Sequence, residues 1–122
     1  MSNQKTCKER VKSHWEGRKK DLQTLLDAEN NYTEELGYFN EYGLSLDLVE
    51  AGTFTDQRED YVRYQFSWGG PSDELRFYKN GDMEYWFLDW FDGACIDVTN
   101  DDTAIDIRDY LSGIIPEATE WF

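Results

Sequence analysis

Residues 74–91, Glu74-Leu75-Arg76-Phe77-Tyr78-Lys79-Asn80-Gly81-Asp82-Met83-Glu84-Tyr85-Trp86-Phe87-Leu88-Asp89-Trp90-Phe91, decide the fold class. Asn80-Gly81 is a strong hairpin signal, because both residues tolerate positive φ. It separates a short run, Glu74 to Lys79, from Met83 to Phe91, the most aromatic piece of the chain. The two runs therefore read as antiparallel neighbours. From Glu84 to Asp92 the second is apolar on both alternating faces, the pattern of a strand covered on both sides.

Toward the N-terminus, Gly69-Gly70-Pro71 breaks the chain ahead of this hairpin. Before the break, Val62, Tyr64, Phe66 and Trp68 alternate with Arg63, Gln65 and Ser67, a strand with one apolar face. Leu44, Leu46 and Leu48 alternate with Ser45, Asp47 and Val49 in the same way, across a polar loop from Gly52 to Asp60. Toward the C-terminus, Asp92-Gly93 closes the aromatic strand and Cys95 to Val98 offers a short fifth.

The period changes outside this block. Cys7, Val11, Trp15, Arg18, Leu22 and Leu25 follow steps of three and four and predict a helix, with Leu26 widening the stripe. Thr33-Glu34-Glu35-Leu36 has the form of a second, short helix start, its carboxylates where the dipole favours them, and Gly43 ends it. Thr99 to Asp102 caps a third helix through Ile105, Ile107, Tyr110, Leu111 and Ile114, stopped by Gly113 and Pro116. The expectation is a single α+β domain over 1–122. A basic helix lies at 1–29, an antiparallel four- to five-stranded meander at 44–98, and a C-terminal helix at 102–113.

Composition supports a folded chain, since 16% of its residues are aromatic and each buries a large area. The formal net charge is -14, and it is unevenly placed. Residues 1–20 carry Lys5, Lys8, Arg10, Lys12, Arg18, Lys19 and Lys20 against Glu9 and Glu16. The remaining five basic groups face 24 carboxylates, a net of -19 on the body. Charge of this size opposes compaction, so the cations of the first helix are expected to lie against the acidic body rather than to bind nucleic acid directly.

Catalytic chemistry finds little footing. His14 is the single histidine and reads as an exposed or packing residue beside Trp15. No GxSxG, P-loop or GxGxxG occurs, and neither an enzyme nor a cofactor is expected. Asp97 to Asp102 fails as a calcium loop, with Asp102 and Arg108 where glycine and glutamate are required, and capping accounts for the same residues. Cys7 and Cys95 form no CxxC and are expected as free thiols of a reducing cytoplasm. No apolar window suits a membrane span, and the charge disfavours an anionic membrane surface.

What remains is the acidic surface. Carboxylates two apart on a strand stand roughly 6.6–6.8 Å apart, near the spacing of every second phosphate of a DNA strand. The expected partner-binding set is Asp56, Glu59, Asp60, Asp73, Glu74, Asp82, Glu84, Asp89 and Asp92, with Trp68 and Trp90 as aromatic anchors.

Four strings carry a resemblance: Gly43-Leu44-Ser45-Leu46-Asp47, Ala51-Gly52-Thr53-Phe54, Tyr64-Gln65-Phe66-Ser67-Trp68-Gly69-Gly70-Pro71-Ser72-Asp73-Glu74, and Trp86-Phe87-Leu88-Asp89-Trp90-Phe91-Asp92-Gly93-Ala94. In them the chain resembles short acidic proteins carried by phages, plasmids and integrative elements. That group includes anti-CRISPR and antirestriction proteins, and it supplies no catalytic motif to carry over. The resemblance implies an accessory, anti-defence role on a mobile element; joined to the acidic surface, it gives the expectation of an inhibitor that meets a basic nucleic-acid-binding complex of the host as a DNA mimic. An immunity protein capping a basic nuclease toxin is the alternative.

Overall fold

The computed structural model describes residues 6–54, 57–69, 71–89 and 92–114. Helix α1 spans Cys7–Asp27 and opens with a capping box. Thr6 Oγ1 accepts from the Glu9 amide while the Glu9 carboxylate accepts from the Thr6 amide, satisfying two groups that the helix itself leaves open. Cys7, Val11, Trp15, Leu22 and Leu25 form its buried face. A 3-10 turn at Glu29–Asn31 follows, then the two-residue strands β1 (Tyr32–Thr33) and β2 (Gly37–Tyr38) and a one-turn helix α2 (Phe39–Tyr42).

The helix start expected at Thr33 is thus a tight antiparallel turn. Thr33 Oγ1 accepts from the Leu36 amide, an alternative to helical bonding that threonine side chains readily offer.

The main sheet has the order β3-β4-β5-β6-β7, antiparallel throughout. Its strands are β3 (Ser45–Val49), β4 (Tyr61–Ser67), β5 (Ser72–Tyr78), β6 (Met83–Asp89) and β7 (Asp92–Asp97). Helix α3 (Asp102–Ile114) closes the fold, with Asp101 Oδ1 accepting from the amides of Thr103 and Ala104 as its cap. The α+β meander read from the sequence is the observed architecture. Asp92-Gly93, expected to close the aromatic strand, instead opens β7.

Two local corrections have physical causes. The β5–β6 hairpin places only Gly81 at positive φ (97°), with the Gly81 amide bonded to the Tyr78 carbonyl and the Tyr78 amide to the Asp82 carbonyl. This is a three-residue loop ending in a left-handed glycine, rather than a two-residue turn using both Asn80 and Gly81. In β4 the register shifts between Gln65 and Ser67, a bulge that breaks strict alternation. Ser67 therefore meets Asp73 on the helix side, and Trp68, one step beyond the strand, is 75% exposed.

Helices α1 and α3 pack on one face of the sheet. Val62, Tyr64, Phe66, Leu75, Phe77, Met83, Tyr85 and Phe87 meet Trp15, Leu22, Ile107 and Leu111 in one core. Among the described residues no helix covers the other face, so the aromatic strand is helix-packed on one side only. Edge strand β3 buries Val49 but leaves Leu44 and Leu48 exposed, against the alternation expected of it.

Gly43 enters β3 where the chain passes over the buried Tyr64 ring, and a Cβ there would stand 2.2 Å from that ring's Cε1. Gly43→Ala is expected to lower unfolding free energy by about 1–3 kcal/mol, the usual cost of overpacking. A urea melt checks this, and an unchanged midpoint would refute the close approach.

Candidate functional site

The body's acidity is partly consumed inside the fold. Asp73, expected on the partner surface, is 2% exposed and lies at the centre of a polar network on the helix side. Arg18 grips it with two bonds, Nε to Oδ2 at 2.7 Å and Nη2 to Oδ1 at 3.0 Å. The Tyr85 hydroxyl donates to Oδ2 at 2.6 Å and Ser67 Oγ donates to Oδ1. Arg18 also donates to the Tyr42 hydroxyl, which in turn donates to Asp21. Burial, then the adjacent Asp73 carboxylate, pushes the Tyr85 phenol up, so it remains a donor. Burial and the bond to Asp21 push Tyr42 up to about 12.

Three other expected partner residues are also used within the domain. Glu74 is 2% exposed and accepts from Arg76 Nε at 2.8 Å on the open face. Asp89 pairs with Arg10 at 2.6 Å. Asp92 accepts from the Cys7 amide at 2.8 Å, placing a carboxylate at the positive end of α1, and that bond holds its pKa below the ordinary value. With Lys19 bonded to Asp101 at 3.0 Å, the basic helix docks on the acidic body as its charge suggested. Asp73, Glu74 and Asp89 are therefore corrected from partner contacts to internal ones, and Asp92 is exposed but already holds the helix end.

The remaining carboxylates gather at the other end of the sheet, on its open face. Here Arg76 lies between two aromatic rings, its guanidinium carbon 4.0 Å from the Trp86 centroid and 4.5 Å from that of Tyr61. Having turned toward Glu74, it makes no ion pair with Glu84, its partner in register on β6. Glu84 Oε1 instead accepts from the Tyr78 hydroxyl at 2.7 Å and the Trp86 indole at 3.0 Å. Burial and then this carboxylate push the Tyr78 phenol up.

Asp97 of β7 stands directly opposite Glu84, and its carboxylate is held down in pKa by the Thr99 hydroxyl and amide. Glu59 and Asp82 rim an open cavity of about 610 Å³ whose walls include Phe54, Tyr61, Tyr78 and Trp86. Arg58 also lies on this rim. Asp60 is half-buried nearby and accepts from the Ala51 amide at 2.6 Å.

The structure thus divides the expected set. Glu59, Asp60, Asp82 and Glu84 belong to the end formed by the β3–β4 loop and the β5–β6 hairpin. Trp68, Asp89 and Asp92 belong to the opposite end, so no single patch unites them. Asp56 and Trp90 lie outside the described residues. Tyr78, Trp86, Arg76 and, outside the calcium-loop test, Asp97 are not marked as site residues by the sequence. A two-residue Asn80-Gly81 turn would set Arg76 opposite Tyr85, whereas the three-residue loop shifts the pairing by one and sets it opposite Glu84.

Elsewhere, His14 is exposed and stacks on Phe87 with centroids 4.1 Å apart, a packing role. Cys7 is buried, Cys95 is exposed, and both thiols are free. Among the described residues no helix is long and apolar enough to cross a membrane. No protein-family model, curated protein or solved structure matches this chain.

Proposed function

We propose that the protein is a non-catalytic inhibitor that occupies the basic nucleic-acid groove of a host defence complex, CRISPR-type or restriction-type, through the hairpin end of its open sheet face. The observation that carries this reading is the register placing Glu84 directly opposite Asp97 while Arg76 turns away to Glu74. Like charges opposed across a ladder destabilise a sheet. A feature that costs the fold stability is best explained by a use outside it.

Arg10, Arg18, Arg63 and Arg76 are all ion-paired within the domain, whereas Glu59, Asp82 and Asp97 remain exposed. Neighbouring strands lie about 4.8 Å apart, so this end presents negative charge at intervals comparable with a phosphate backbone. The mobile-element resemblance of the strings between Gly43 and Ala94 supports the choice of a defence complex as target.

The test is an order-of-addition experiment. The protein is mixed with a purified CRISPR effector or restriction endonuclease before or after its DNA, and DNA retention is read by gel shift. Blockade only when the protein precedes DNA is the expected result. Undiminished DNA binding by both enzyme classes at about a hundredfold molar excess would overturn the proposal.

A further inference from the structure

We infer that the cavity on the open face is a receptor for an arginine side chain projecting from the partner. This deepens the reading above and rests on it for the partner's basic character. At about 610 Å³ the cavity falls within the range of pockets that bury small ligands, and its walls combine the aromatic rings of Phe54, Tyr61, Tyr78 and Trp86 with charged and polar side chains. Within it the protein already holds one guanidinium, that of Arg76, stacked between Tyr61 and Trp86 and bonded to Glu74.

Beside that filled position stands Glu84, half-buried and oriented by two donors on the same oxygen, Oε1. No hydrogen bond among the described residues uses its Oε2, and no ion pair among them uses the residue at all. A fixed carboxylate flanked by aromatic surface matches the planar fork of an arginine, which can bond and stack together. A lysine ammonium offers a point charge with no stacking plane.

Charge favours the same occupant. Arg76 is balanced by Glu74, leaving Glu59, Asp82 and Glu84 against Arg58 among the described residues that line the cavity, with Lys79 beside Arg58 and Glu59 in the adjoining recess. An anion entering here would face a half-buried carboxylate, which excludes phosphate-like ligands. Tyr61, one of the rings lining the cavity, keeps its buried hydroxyl without a hydrogen-bond partner among the described residues.

The experiment is an NMR titration of the full chain with the capped tripeptide acetyl-Gly-Arg-Gly-amide, with acetyl-Gly-Lys-Gly-amide as comparison. Saturable shifts at the Trp86 indole and at Tyr78 are expected, with at least threefold weaker binding of the lysine peptide. Glu84→Gln should weaken the arginine peptide tenfold or more. Asp106→Asn, the same charge change on exposed α3, should leave it unaltered. Shifts scattered over the exposed carboxylates, or equal affinity of the two variants, would overturn the inference. Run beside the gel-shift assay, the outcomes separate. Peptide binding without blockade removes the partner class and keeps the cavity. Equal blockade by wild type and Glu84→Gln keeps the partner class and removes the cavity.

Discussion

Asp73→Ala is expected to lower the unfolding free energy by about 3–5 kcal/mol, the range for removing one partner of a buried ion pair. For a domain of this size that corresponds to a fall in Tm on the order of 10–20 °C. The loss is large because one carboxylate serves three elements. Arg18 reaches it from α1, Ser67 from β4 and Tyr85 from β6, and all three donors lose their acceptor together. Arg18 is left half-buried over the Tyr42 and Phe66 rings, retaining only Tyr42 as an acceptor.

Arg18→Met should cost less. Asp73 would keep two hydroxyl donors, and the methionine would fill the space against the same rings. The double variant then reports the pair's coupling directly. Urea denaturation of the four proteins checks the cycle. A loss below about 1 kcal/mol for Asp73→Ala would mean that Asp73 is hydrated and the network is not what fixes α1 on the sheet.

The same network marks where the sequence could be read and where it could not. Alternation and turn residues are local signals, so the hairpin through Asn80-Gly81, the strand through Val62 and Tyr64, and the stripe from Cys7 to Leu25 are found in place. Arg18 already stood inside that stripe as its single charged member, which is the trace a buried pair leaves in one element. Its partner lies 55 positions away, and no local period points to it.

The bulge at Phe66 was hidden for a related reason. An extra residue in one strand becomes visible only against its neighbour's register, and it decides that Ser67 rather than Trp68 turns toward the helices. At the candidate site, the carboxylates were legible as charge and their grouping was not. Glu59 and Asp82 come together because the β3–β4 loop and the β5–β6 hairpin share one end of a meander, whereas Asp89 is drawn to the other end by Arg10. Acid content names candidates; strand order and ion pairing choose among them.

Under the proposed function, binding to the target complex is expected to weaken by roughly tenfold to fortyfold between 50 and 200 mM salt, if about three carboxylates each replace a phosphate. Most of the change should appear in the association rate, because exposed charges steer the encounter and are screened over a Debye length of about 10 Å. Neutralising Glu59, Asp82 and Glu84 together (Glu→Gln, Asp→Asn) should remove most of that salt dependence and much of the affinity. Neutralising Asp102, Asp106 and Asp109 changes net charge equally. Those residues lie on α3, in the helical layer on the other side of the sheet. Bulk acidity predicts that the two triple variants fall together; a groove-filling surface predicts that only the first does. Surface plasmon resonance of both variants across the salt series distinguishes these. Equal losses would leave the net charge of -14 acting as a whole-molecule field and would withdraw the hairpin end as the contact surface.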